Sequence, residues 1–163
     1  MTAAKVKALK IVSGGQTGVD RAALDIALKH GIECGGWCPA GRLDEFGKIP
    51  DRYPVQELRH GGFTERTLAN VKDSDGTVVI YSGELRGGTA QTVRFCVELR
   101  RPHQLIDALE VTSENAAQLI DQFVRENRIG ILNVAGPRHS EWSGGYDYAS
   151  QVLEIFLALR STD

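Results

Sequence analysis

The stretch GTVVIY, residues 76–81, is β-branched and apolar at successive positions, so as a strand it presents no polar face to water. Such a strand needs cover on both sides, which a parallel sheet layered between helices provides. The rest of the chain carries the same rhythm. Runs at 8–13, 32–38, 55–58, 103–106 and 129–135 read as strands, and the first and last stop at Gly14-Gly15 and Gly136-Pro137. Segments 18–30, 64–74, 89–100, 113–127 and 146–159 read as helices. In the first of these, Val19, Ala22, Ala23, Ile26 and Ala27 share one face, with Gly31 as the stop. This alternation predicts an α/β fold with a doubly wound, mainly parallel sheet in three layers, α/β/α.

At 163 residues the chain is expected to form one domain over 1–163, burying roughly 70% of its unfolded surface without disulfide or metal. Its net charge is -2, and the nearest basic cluster, Arg94, Arg100, Arg101 and His103, has Glu98 inside it. That cluster reads as a solvated helix end, so nucleic acid is not an expected partner. Cys34, Cys38 and Cys96 are odd in number and lack CxxC spacing, and no leader pattern precedes the first strand. A reduced, cytoplasmic setting is expected. His30, Cys34 and Cys38 stand four apart, but Gly35, Gly36 and Pro39 break the helix that would align them, so no metal site is expected. No apolar run approaches the ~20 residues of a membrane span.

Chemistry concentrates where strands hand over to helices. In SGGQTGVDRAA, residues 13–23, Gly14, Gly15 and Gly18 allow positive φ and close approach of a ligand to the backbone. With Gln16, Thr17 and Arg21 they form a candidate anion site, the unpaired amides of a helix start pointing outward. The plain alternative is a helix cap, Thr17 as N-cap and Asp20 imitating a capping box. The spacing is neither that of a Walker A loop nor GxGxxG. A second turn, YSGELRGGTAQT at 81–92, offers Gly87 and Gly88, with Thr89 opening the next helix. A third, NVAGPR at 133–138, offers Gly136 and the Arg138 fork. In an open parallel sheet such turns can face one crevice, and together they predict a phosphorylated small-molecule ligand.

Further pocket candidates are Arg66 and Asn70, four apart on one helix face, with Thr67 beside them. The long connection 39–54 has the length of a functional lid, and Trp37, Arg42, Glu45 and Tyr53 there are candidates to contact a ring. No histidine has a Ser or Cys partner in a nucleophile motif. Asp20 and Glu45 are the candidate carboxylate pair, although spacing alone does not bring them together.

SGGQTGVDRAALDIAL, the GW-x-PAGR-x-x-x-FGKIPDRYP loop, ERTLANVKDSDGTVVIY, GGTAQT and LNVAGPR, in this order, resemble the molybdenum carrier protein family over residues 8–159. That family is similar to the wider Rossmann-like group containing lysine-decarboxylase-annotated nucleotide hydrolases (the LOG proteins) and the DNA-processing Smf proteins. The resemblance implies a Rossmann-like sheet, a homo-oligomer, and a carrier for molybdenum cofactor (molybdopterin), whose pterin bears a phosphate, or for a nucleotide. The hydrolases' PGGxGTxxE is matched here by Arg86-Gly87-Gly88-Thr89-Ala90-Gln91-Thr92-Val93-Arg94, without the proline, third glycine or glutamate. Phosphate binding survives that departure, while hydrolysis by that route does not follow. A nucleotide-processing enzyme and a nucleotide-responsive interaction module stay open as alternatives.

Overall fold

The computed structural model describes residues 8–161. In chain order the elements are β1 (Lys10–Val12), α1 (Val19–Lys29), β2 (Glu33–Gly35), β3 (Trp37–Cys38), β4 (Leu43–Asp44), β5 (Gly47–Lys48) and β6 (Gln56–Glu57). There follow α2 (Phe63–Lys72), β7 (Gly76–Tyr81), α3 (Gly87–Glu98), β8 (His103–Asp107), α4 (Ser113–Glu126), β9 (Ile131–Ala135) and α5 (Gly145–Ser161). The main sheet has the order β2-β1-β9-β7-β8, and every pairing in it is parallel.

Side chains alternate across each strand, and this alternation assigns the layers. Val78 and Ile80 of β7, Leu132 and Val134 of β9 and Ile11 of β1 join one buried cluster with apolar residues of α1, α4 and α5. The intervening Thr77, Val79 and Asn133 are equally buried but face the opposite side, where α2 packs against α3. Thr77 and Asn133 are register partners, and Asn133 Nδ2 donates to Thr77 Oγ1 at 3.2 Å. The Asp75 carboxylate pins the other end of these strands, accepting from the amides of Gly130 (2.9 Å) and Ile131 (2.7 Å). One face of the sheet is thus apolar along β1, β7 and β9, and the other carries a polar pair at its centre.

Counted from β7 and continued from β9 into β1, the spatial order becomes 2-1-3-4-5, a doubly wound sheet whose chain starts at a different strand. Its switch point lies between β7 and β9: the connection after β7 leads to α3 on one face, that after β9 to α5 on the other. Helices run antiparallel to the strands they connect, so the N-termini of α2 and α3 both lie at the carboxyl edge beside that switch point.

The expected strand at 32–38 is broken in two. Gly36 has φ of 122° and its Cβ position lies 2.2 Å from the Ser13 carbonyl oxygen, so the chain turns there out of the main sheet. β3 then pairs with β6, and β4 with β5 as a hairpin, filling the connection expected to be irregular. Arg42 secures this segment: its guanidinium donates to the carbonyls of Val55 (2.9 Å), Pro50 (2.9 Å) and Tyr53 (3.1 Å).

At the end of β9, a Cβ on Gly136 would lie 2.3 Å from the Ile80 carbonyl oxygen and 2.7 Å from Val19 Cγ2. Neither backbone nor packed helix can yield, so Gly136→Ala is expected to destabilise the protein by about 1–3 kcal/mol in urea denaturation. Gly88→Ala, where a Cβ meets open space, is the control and is expected to leave stability unchanged or slightly raised.

Candidate functional site

A cavity of about 300 Å³ opens at the switch point, between the carboxyl ends of the strands and the N-termini of α2 and α3. The first glycine turn and α1 contribute Gly14, Gln16 and Asp20 to its wall, and α2 contributes Arg66 and Asn70. Gly87, Gly88 and Thr89 line it from α3, with Gly136 and Arg138 from the segment after β9. Residues from three separate turns of the sequence therefore meet at one place.

The first turn is filled from within. The Gln16 amide donates to Asp20 Oδ2 (3.3 Å), the Thr17 amide to Gln16 Oε1 (3.0 Å) and the Gly15 amide to Ser13 Oγ (3.4 Å). These are the amides expected to face a ligand, and the segment's own side chains take them because an amide shielded from water needs an acceptor. Thr17 is not the N-cap of α1; that position is Gly18, without a side-chain cap bond. Thr17 Oγ1 instead donates to Glu45 Oε1 at 2.6 Å and accepts from the His139 amide at 3.1 Å. Gly18, with φ of 79°, lets the turn approach Pro137, whose carbonyl oxygen lies 2.6 Å from the Cβ position.

Asp20 and Arg66 are the buried charges of the cavity wall, with side chains 8% and 10% exposed. Arg66 Nη1 donates to Asp20 Oδ2 at 3.3 Å and to the Gly14 carbonyl at 3.0 Å. Only glycine permits this at position 14, since a Cβ would fall 1.9 Å from that nitrogen. Burial pushes the Asp20 carboxyl up to about 6, against the pull of Arg66 and the Gln16 amide. Burial likewise lowers Arg66, only partly offset by Asp20. Desolvation outweighs attraction on both sides of the pair.

The second turn is open. α3 begins at Gly87 rather than at Thr89, whose own amide is spent on the Arg86 carbonyl at 3.1 Å. The amides of Gly87 and Gly88 have no partner among the described residues, and Cβ positions on both meet no atom within 4 Å. This helix end carries partial positive charge and two unpartnered donors on residues that line the cavity. Arg138, 41% exposed at the side chain, lies between two carboxylates, its Nε 2.9 Å from Glu141 Oε1 and 3.6 Å from Glu45 Oε2, and its guanidinium makes no hydrogen bond among the described residues.

Eight candidates stand outside this lining, among them Trp37, whose Nε1 donates to Asp73 Oδ2 at 2.8 Å, and Tyr53, buried with its hydroxyl donating to Asp25 Oδ1 at 2.6 Å. Gly15 and Gly18 shape the first turn, and Arg42 binds the loop carbonyls described above. Arg21 Nη2 donates to Asp44 Oδ2 (2.8 Å) and to the Gly15 carbonyl (3.0 Å). Thr17 and Glu45 join Ser140, whose hydroxyl and amide both donate to the Glu45 carboxylate. Burial pushes Glu45 up, but the bonds from Ser140 and Thr17, with Arg138, prevail and hold it below the ordinary value. Glu45 is thus engaged by Thr17 and Ser140, and Asp20 by Arg66 and the Gln16 amide. Asn70 lines the cavity while its carboxamide clips the backbone of Trp37, accepting at 2.8 Å and donating at 2.9 Å. Phe63, Gln91 and Asn133 line the cavity without having stood out in the sequence. Gln91 and Asn133 lie inside the quoted motifs GGTAQT and NVAGPR, whereas Phe63 has no local signal.

The raised Asp20 carboxyl predicts a pH dependence. Between about 4 and 6 the folded state keeps a proton that the unfolded chain, with an ordinary value of 3.8, has released. Wild-type stability therefore falls relative to that of Asp20→Asn as pH rises from 4 to 7, by on the order of 2–3 kcal/mol. Urea denaturation of both proteins across this range measures it, and a constant difference would contradict the assignment.

A family model described as the circularly permutated YpsA SLOG family matches residues 11–157. The crystal structure of the "Putative molybdenum carrier protein" from Syntrophus aciditrophicus SB is 45% identical, with a TM-score of 0.90 over 93% of this chain and 96% of that one. No curated protein matches. The strand order counted from β7 agrees with a permuted chain, and the family model spans most of the sequence: this protein belongs to the circularly permutated YpsA SLOG family.

Proposed function

We propose that this protein binds and carries a phosphorylated small molecule, with the phosphate against the Gly87 and Gly88 amides and the Arg138 fork. The observation that carries the reading is a helix N-terminus whose first two amides are unpartnered and border a cavity at the switch point. Charge-assisted bonds of this kind contribute about 1.5–3 kcal/mol each, enough together for useful affinity. A cavity of about 300 Å³ sits at the lower end of the range for small-molecule sites, which favours a ligand of mononucleotide size.

The similar protein's name supports a carrier role, and a molybdopterin phosphate or a nucleotide is the ligand class we favour. The residues present fit the phosphate end of molybdenum cofactor. Among the described residues no cluster of His, Cys, Asp or Glu is placed to hold a metal ion, so molybdenum would be held by atoms of the cargo itself. When bound, the cofactor would supply its metal chemistry to a receiving enzyme; this chain's residues bind and orient its phosphate. No helix among the described residues is long and apolar enough to cross a membrane.

One observation favours a second reading. Asp20, raised to about 6 on the cavity wall, has the character of an acid–base group, as a nucleotide-processing enzyme would need. Incubation with a panel of nucleoside monophosphates separates the readings: intact nucleotide supports the carrier, and released base or phosphate supports the enzyme.

Gly88→Asp tests the phosphate site. The new side chain meets open space, so the fold persists, and a carboxylate near a helix start is itself favourable. Calorimetric titration with AMP is expected to show at least a tenfold loss of affinity at unchanged melting temperature. Equal affinity in the folded variant would refute the site.

A further inference from the structure

Phe63, the first residue of α2, is 41% exposed and lines the cavity. A lone exposed phenylalanine is ordinary on a protein surface, but this one stands at the carboxyl edge of the sheet, on the wall shared with the open α3 terminus. The guanidinium carbon of Arg66 lies over its ring, 5.4 Å from the centroid. Arg66 is in turn held by Asp20 and Gly14, so the ring has a fixed, charged backing. With the residue 41% exposed, part of the ring stays open to a bound molecule. Gln91, on the neighbouring helix and in the same cavity, has a carboxamide with no partner among the described residues. A carboxamide offers both a donor and an acceptor, the complement of a heterocycle's polar edge.

We infer that Phe63 is the stacking platform for a planar nitrogen heterocycle, with Gln91 reading its edge, so that the ligand is a phosphorylated ring compound and not a simple sugar phosphate. The inference rests on the phosphate site proposed above and assigns the other end of the same ligand. A π-face on one wall and amide donors on the other suit a molecule with a flat apolar ring at one end and an anion at the other. Purine and pterin share that chemistry, and the two probes below tell them apart.

The test is calorimetric titration of wild type, Phe63→Ala, Phe63→Leu and Phe63→Trp with AMP, neopterin monophosphate and ribose 5-phosphate. Stacking predicts that wild type prefers one of the ring compounds over ribose 5-phosphate by about tenfold or more. Phe63→Ala and Phe63→Leu are expected to erase that preference while leaving ribose 5-phosphate affinity within about twofold, and Phe63→Trp to restore it. Should Phe63→Ala fail to fold, Phe63→Leu, which keeps most of the apolar volume, carries the comparison. Equal losses for ring and ringless probes, or no preference in wild type, would overturn the stacking role while leaving the phosphate site intact. If no probe binds wild type, the phosphate site falls and the stacking role with it.

Discussion

The buried pair of Asp20 and Arg66 joins parts of the molecule that the sheet keeps apart. Asp20 belongs to α1 on one face, and Arg66 to α2 on the other; their contact crosses the carboxyl edge at 3.3 Å. By also binding the Gly14 carbonyl and lying over Phe63, Arg66 fixes the first glycine turn, the start of α2 and the adjoining cavity wall together. Desolvation sets the terms of this arrangement. A charge pair that burial disfavours on both sides adds little stability, so its contribution lies in defining one geometry. The requirement for glycine at position 14 follows from that contact, not from ligand approach.

The glycine turns divide their labour accordingly. In the first, an internal carboxylate and carboxamide occupy the donors that an external anion would need, and Gln16, Thr17 and Glu45 staple the turn to the β4–β5 hairpin. The second has no such filler, and its helix start remains available. The third brings Arg138 beside it while Gly136 serves close packing against Ile80 and Val19. A permuted chain preserves this plan because the crevice depends on which strands are neighbours and where their helices lie, not on where the chain begins.

Much of this was legible in the sequence. GTVVIY announced a doubly covered strand because both faces are apolar, and it spans the residues of β7. The meeting of three turns followed from the rule that ligands collect at carboxyl ends in parallel sheets. What stayed hidden were side-chain destinations. Asp20 looked like a cap because its spacing from Thr17 imitates one, but it accepts from the Gln16 amide instead and pairs with Arg66, distant in the chain. Arg42 and Glu45 looked like ligand contacts because a long polar loop carries them; both are consumed by that loop and its neighbours. Phe63 was invisible, since an apolar residue at a helix start usually faces the core and nothing local marks one that faces a cavity.

The proposed anion seat is formed by two main-chain amides of α3. A ¹H–¹⁵N NMR titration with inorganic phosphate addresses them individually. Saturable shifts are expected at the Gly87 and Gly88 amides, with the Gly15, Gln16 and Thr17 amides comparatively unmoved because side chains already hold them. Saturation at the first turn, with Gly87 and Gly88 unperturbed, would contradict this placement.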